Sequence, residues 1–337
     1  MMNGLRTAIL GCGNIGHLHA QNLSRLGEDV SLVAFCDRHI INAIEFQKKF
    51  TQGKAAIYED YQDLIENAGL DLLVVALPPF AHKKEVEMAA SRGIHLFLEK
   101  PIALESGRAW EMVDAVEMAG IKSQVGFKYR FGEAVEKVRG LIDSKSIGRP
   151  GLMSARYFCN SLHTDWWRDK KKSGGQLVEQ VIHLIDLMRY LMGEPLSVLS
   201  RQENVFHKDV IDYTVEDVSI TTYTFLDDAL GVIYATNGAI PNRWINEYHL
   251  VSEKLTADFS SANQAELFYT DQDWVQSEVI NGNRDIHFQE MFDLIQAIKN
   301  NSQTRIPIRE GALSLDMALA ANESASTHQE IFLNSHS

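Results

Sequence analysis

Little in this chain points to export, a membrane or nucleic acid. Cysteine is scarce. Cys12, Cys36 and Cys159 are odd in number and show no metal-type spacing, so neither a disulfide framework nor a metal site is expected. They read as small buried hydrophobes in a reducing cytosol. No apolar run approaches the ~20 residues needed to span a bilayer. The longest, residues 70–77, contains Asp71 and stops at Pro78-Pro79. The run 7–10 is too short for a secretory signal, so a cytoplasmic location is expected. Positive charge is in deficit: 32 Lys and Arg against 45 Asp and Glu leave −13. That balance repels phosphate backbones and argues against nucleic acid as a partner. A small anionic ligand held by local basic residues remains compatible with it.

What is present is the composition of a globular protein, in 337 residues that suit two domains. Short apolar runs at 7–10, 30–36, 71–76, 94–98 and 122–127 alternate with helical patterns at 15–26, 40–50, 81–91 and 105–118. That rhythm means βαβ units and a parallel sheet. The runs lack strict alternation, as strands covered on both faces do. After Phe127 the rhythm changes. A helix at 133–143 leads to the turn Gly148-Arg149-Pro150-Gly151 and a strand at 152–159. A helix at 176–192 and strands at 215–225, 230–237, 248–251 and 266–270 follow, with closing helices at 285–299 and 311–328. The expected architecture is a parallel α/β domain over 1–127 and an α+β domain over 128–337. The second should carry a large, mostly antiparallel, open-faced sheet and serve substrate binding and oligomerisation. An exposed sheet face of that kind favours a homodimer or homotetramer.

Gly11-Cys12-Gly13-Asn14-Ile15-Gly16 matches G-x-G-x-x-G between a predicted strand and a predicted helix. Asp37 ends the next strand about 20 residues on, which completes the dinucleotide fingerprint of a Rossmann domain. Gly11 permits the tight turn, Gly13 lets backbone approach the pyrophosphate, and Gly16 lets helix and strand pack closely. The helix start, with Asn14 and Ile15, presents free N–H groups to phosphate. Asp37 suits the adenosine ribose hydroxyls and disfavours a 2′-phosphate, so NAD is expected. Arg38 beside it keeps NADP open.

Glu99-Lys100-Pro101 follows the strand 94–98, at the carboxyl edge where ligands of parallel sheets sit. A lysine there can stabilise a developing alkoxide, and equally the pair can be a surface one. On the helix at 176–192, Leu177, Val181, Leu184, Met188 and Leu191 form one stripe. Glu179, His183 and Asp186 share the opposite face. His183 is the natural proton acceptor near neutral pH. Spacing alone also fits a solvated polar face. A metal held by these three is the weaker reading, and none is expected.

Together these residues resemble the Gfo/Idh/MocA oxidoreductase family, across essentially the whole chain. The matching segments are Gly11 to Ala20 with His19, Val75 to His82, Glu99-Lys100-Pro101, Val125 to Phe131, and Gly174 to Asp186. Two positions depart from the family pattern. Leu77 stands where Thr is common, and Glu179, followed by Gln180, where Asp is commonest; its carboxylate reaches one methylene further. The resemblance implies NAD(P)-dependent hydride transfer between the nicotinamide and a secondary hydroxyl or ketone of a sugar, cyclitol or related polyol. It makes Lys100, His183 and Glu179 catalytic, and a cis bond before Pro101 fits it. Leu77, Pro78, His82 and Glu99 would line the nicotinamide ribose, and Trp167-Arg168 would touch the cofactor. Lys128, Arg130 and Trp166 would join Lys100, Glu179 and His183 on the substrate side. Two other activities occur among relatives: glycoside hydrolysis with transient oxidation by held NAD, and non-catalytic dinucleotide sensing or repression. Intact Lys100 and His183 argue against the last.

Overall fold

The computed structural model describes residues 4–271, 274 and 276–333. The chain forms two compact units. One runs to Gly126 and takes in His287–Ala312; the other is Phe127–Ile286 together with the chain from Leu313 onward.

The first unit is built on strands β1 (Leu5–Leu10), β2 (Val30–Cys36), β3 (Ala56–Tyr58), β4 (Leu72–Val75), β5 (His95–Leu98) and β6 (Ser123–Val125). They lie in the order β3-β2-β1-β4-β5-β6, all parallel. Helices cross over between them at Asn14–Ser24, Ile40–Thr51, Glu85–Ser91 and Ser106–Ala119. All four residues of β4 are buried, which explains its unbroken run of aliphatic side chains. The reversal of strand order beside β1 places the carboxyl ends of β1, β4 and β5 where such sheets bind ligands.

Strand β3 and the helix Tyr61–Asn67 carry no expectation from the sequence. Three residues of strand are too few for a periodic signal. The short helix is marked only by Asp60, which caps it by accepting from the Gln62 amide at 2.7 Å. A single cut after residue 127 also needs correcting. The helix Ile286–Asn300 returns to the first unit, where Met291, Leu294 and Ile295 pack into the core with Leu23 and Phe35. The segment behind it pairs with β6: the Val125 amide donates to the Ile306 carbonyl at 2.9 Å.

The second unit holds β7 (Pro150–Phe158), β8 (Pro195–Glu203), β9 (Val218–Phe225), β10 (Leu230–Thr236), β11 (Ile245–Ser252), β12 (Leu255–Ser261), β13 (Gln264–Tyr269), β14 (Gln276–Asn281) and β15 (Ile331–Phe332). Their order is β14-β13-β12-β11-β7-β10-β9-β8-β15. Only β7 and β10 run parallel; every other neighbouring pair is antiparallel. Burial alternates along β9, β10 and β12, so one face is core while the other leaves Ile220, Leu230 and Tyr234 exposed. Among the described residues no helix is long and apolar enough to cross a membrane. The three cysteines are free and buried, and burial pushes the Cys36 and Cys159 thiols up to about 12.

The expected helix over 176–192 is two pieces, a π-helical turn Leu177–Val181 and an α-helix Ile182–Met192. Its apolar stripe is buried as expected, and Asp186 is buried too. Asp186 therefore does not lie on a shared polar face. It takes a two-pronged ion pair from Arg130, Nε to Oδ2 at 2.9 Å and Nη2 to Oδ1 at 2.6 Å, and a hydrogen bond from Ser314. Arg130 also stacks over Tyr190, 4.6 Å from the ring centre. A buried pair of this kind is costly to break from one side. Replacing Arg130 by Leu should lower stability by about 3–5 kcal/mol, read by urea denaturation. A loss below about 1 kcal/mol would mean that Asp186 finds water or another partner.

Candidate active site

The glycine loop shows why each glycine is there. Gly11 sits at φ +99, and a Cβ on it would lie 2.4 Å from the Ala76 carbonyl oxygen. A Cβ on Gly16 would lie 2.1 Å from the Gly11 carbonyl oxygen. Both close approaches are structural. Gly13 differs: a Cβ there meets nothing within 4 Å, so its demand for glycine is not set by the protein's own packing. The helix Asn14–Ser24 begins just beyond, with no side-chain cap and no acidic residue in its first turn. An uncapped, uncharged helix start beside an open glycine fits a dinucleotide pyrophosphate. Asp37 accepts from the Cys12 amide at 2.9 Å and the His39 amide at 2.8 Å, which pins the loop to the end of β2. A carboxylate has about four lone-pair positions, so acceptor capacity remains for a ribose hydroxyl. Arg38 is exposed beside it.

At the ends of β4 and β5 stand Leu77, Pro78, His82, Glu99 and Lys100. Leu77, Pro78 and Lys100 are half-buried. His82 Nδ1 lies 2.6 Å from Glu85 Oε1, which also receives the Lys83 amide on its other oxygen. Burial pushes the Glu85 carboxyl up, but the His82 contact and the Lys83 amide hold it below its ordinary value. His82 Nε2 is buried without a hydrogen-bond partner among the described residues, an atom that a bound ligand would satisfy. Glu99 is buried and bonded to His19, so its place is beneath the site rather than on its open surface. The Lys100–Pro101 bond is cis.

In the second unit, the π-helical turn re-aims Glu179 and Gln180, a common use of such turns at functional positions. Glu179 Oε2 accepts from the Trp167 indole at 2.9 Å. Trp167, expected on the cofactor, is buried and spends its polar atom on the carboxylate instead. Gln180 meets His163 Nε2 at 2.6 Å, and the His163 ring lies 4.4 Å from that of Trp167. Residues 163, 167, 179 and 180 thus close a ring of side chains. Gly175, at φ +98, leads into the turn, and Glu216 caps it by accepting from the Leu177 amide at 2.9 Å. His183 is half-buried against Phe127 and Tyr129, with ring centroids 6.2 and 5.3 Å away. Burial pushes the Tyr129 hydroxyl up to about 12, so it is a neutral donor at working pH.

The remaining candidates spread out. Arg168 bonds the carbonyls of Leu162 and His163 and pairs with Asp165. Trp166 packs beside Trp167 and Tyr213, and Lys128 lies 5.9 Å from the Tyr129 ring. Arg130, expected toward substrate, belongs to the buried pair with Asp186. Sequence reading missed His163, Tyr129 and Glu290. Glu290 looks like an ordinary residue of an amphipathic helix, and only the return of that helix to the first unit reveals it.

A parallel sheet in this strand order, with this loop and this acidic residue, defines a dinucleotide-binding domain, here joined to an α+β unit. The description "Oxidoreductase family, NAD-binding Rossmann fold" matches residues 5–127, and "GFO/IDH/MocA C-terminal domain" matches residues 135–257. The chain belongs to the Gfo/Idh/MocA family of oxidoreductases. Myo-inositol 2-dehydrogenase of Thermotoga maritima is 24% identical over 98% of both chains. D-glucoside 3-dehydrogenase of Escherichia coli is 25% identical over 98% of this chain and 97% of that one. The fold matches levoglucosan dehydrogenase in complex with NADH and levoglucosan, with TM-score 0.90 and 19% identity over 99% of this chain and 100% of that one.

Gly16 and Gly13 should separate in experiment. Gly16→Ala should cost several kcal/mol of stability or prevent folding, because backbone must move. Gly13→Ala should leave the thermal midpoint nearly unchanged but weaken NADH binding by about 10-fold or more, through lost close approach. Equal NADH affinity in Gly13→Ala would remove the loop from cofactor binding.

Proposed function

We propose that the protein is an NAD-dependent dehydrogenase that oxidises a secondary hydroxyl of a sugar, cyclitol or related polyol, or reduces the matching ketone. The observation that carries the reading is the half-buried Lys100 at the carboxyl end of β5, in the same unit as an open dinucleotide loop. Relatives aligned over nearly their whole length are named for inositols and glucosides, which supports the substrate class. The dinucleotide, when bound, supplies the hydride acceptor. Lys100 holds the substrate oxygen and stabilises the negative charge that develops on it. His183 accepts the hydroxyl proton. Glu179, held by the Trp167 indole, keeps a carboxylate on the substrate side, where it orients hydroxyls. NAD is preferred over NADP because a 2′-phosphate would meet the Asp37 carboxylate.

A panel of cyclitols and pyranosides with NAD, read as NADH absorbance, tests the activity. Lys100→Ala should leave NADH affinity within about threefold and lower kcat by about 10²-fold or more. His183→Asn should remove most of the rate together with its acid limb, since a protonated imidazole cannot accept the hydroxyl proton. Wild-type turnover in both variants would place the chemistry elsewhere. For the cofactor, Asp37→Ala should narrow the affinity gap between NADH and NADPH. Tighter binding of NADPH by the wild-type protein would mean that Arg38 governs the choice.

A further inference from the structure

Beneath Lys100 the first unit holds a buried cluster that the reaction itself does not use. His19 lies on the helix that follows the glycine loop and is fully buried; Glu99 directly follows β5; Glu290 lies on the returning helix and is also fully buried. One side-chain ligand atom from each lies within 4.8 Å of the others. His19 Nε2 stands 2.7 Å from Glu99 Oε1, while Glu99 Oε2 accepts the Lys100 amide at 3.2 Å. Phe97 supports the His19 ring at 4.7 Å, and a Cβ on Gly126 would come within 3.2 Å of both Glu99 oxygens. His287 Nδ1 approaches Glu290 Oε1 at 3.3 Å, and the Glu290 carbonyl accepts from Gln124 at 2.6 Å.

Such a trio resembles a metal site in composition, but the His19–Glu99 contact within it has the geometry of a shared proton. Ligand atoms around a tetrahedral ion at ~2.0–2.1 Å lie roughly 3.3 Å apart, and the 2.7 Å between His19 and Glu99 is a charge-assisted hydrogen bond. Burial pushes the Glu99 carboxyl up, yet His19 and then Lys100 and His287 hold it below its ordinary value, so it stays an acceptor. Burying these groups costs stability unless each is paired. The His19–Glu99 bond ties the first helix to the residue after β5, Glu290 of the returning helix lies beside it, and the atom the contacts end on is the Lys100 backbone nitrogen.

We propose that His19 and Glu290 are positioning residues for Lys100: a buried imidazole–carboxylate network that fixes Glu99, and through it the Lys100 backbone, from the cofactor-loop helix. This rests on the catalytic assignment of Lys100 above. The network makes the lysine's pose depend on the same helix whose N-terminus faces the pyrophosphate.

The test is a double-mutant cycle on the polyol that the panel shows to be turned over best, with NADH affinity measured in parallel. His19→Leu should lower kcat by about 10-fold or more, and His19→Gln, which keeps a donor near the Nε2 position, should recover most of it. In a Lys100→Ala background the His19→Leu effect should vanish, while NADH affinity stays within about threefold. Losses that persist undiminished without Lys100, or that NADH affinity accounts for, would overturn the proposal. So would one equivalent of tightly bound metal in the purified protein. If His19→Leu does not fold, Glu290→Gln carries the same cycle. Apart from turnover, acetylation of Lys100 relative to surface Lys48, read by mass spectrometry, should shift in His19→Leu and not in His19→Gln; equal labelling in all three proteins would overturn it. Wild-type turnover in Lys100→Ala alone would instead sink the parent assignment and this one with it.

Discussion

The close contact between the end of the first strand and the start of the first helix governs the dinucleotide side of the site. A side chain at residue 16 would sit 2.1 Å from the Gly11 carbonyl oxygen, and one at residue 11 would strike the Ala76 carbonyl. Gly11 and Gly16 let β1 turn tightly into the helix without a cap, with the helix start at the carboxyl edge of the sheet. The orphan N–H groups of that turn are an anion site by construction. Asp37 can pin the Cys12 amide and Glu99 can reach His19 because the turn brings the helix this near.

Beyond that constraint, the candidate charged groups are held in different ways. Lys100 is half-buried and follows a buried carboxylate. Glu179 is held by a single indole donor on a π-helical turn, next to Gln180, which is engaged with His163. Asp186 and Arg130 form a buried pair that supports the helix carrying His183. The departure from the family's commoner Asp at position 179 now has a physical setting. The longer side chain and the π-helical turn come together, and its carboxylate is bonded to Trp167.

Much of this was legible in the sequence. Periodicity and glycine placement located the parallel sheet, the loop and Asp37, because buried strands and tight turns leave local signatures. Strands β3, β8, β12, β14 and β15 carry no expectation from the sequence, the edge strands β3, β14 and β15 least of all, because pairing and not local pattern makes them strands. Helical spacing put Asp186 on a polar face with Glu179 and His183. A π-helical turn breaks that spacing between 179 and 183, and a partner 56 residues away claims Asp186. The resemblance implies outward roles for Trp167 and Arg130, yet their polar atoms are spent inside the unit. The spacing marks the returning helix as a helix but not its unit, since an amphipathic stripe says that a face is buried but not against what.

The proposed reaction is direct hydride transfer from a substrate carbon to the nicotinamide with net reduction of the dinucleotide. The most direct measurement is oxidation of polyols deuterated on their ring carbons with NAD, followed by proton NMR of the nicotinamide product. The account predicts accumulating NADH that carries deuterium at C4 from one hydroxyl-bearing carbon, with a slowed rate if chemistry limits turnover. Reduced dinucleotide without deuterium, or turnover that leaves no net NADH, would contradict it.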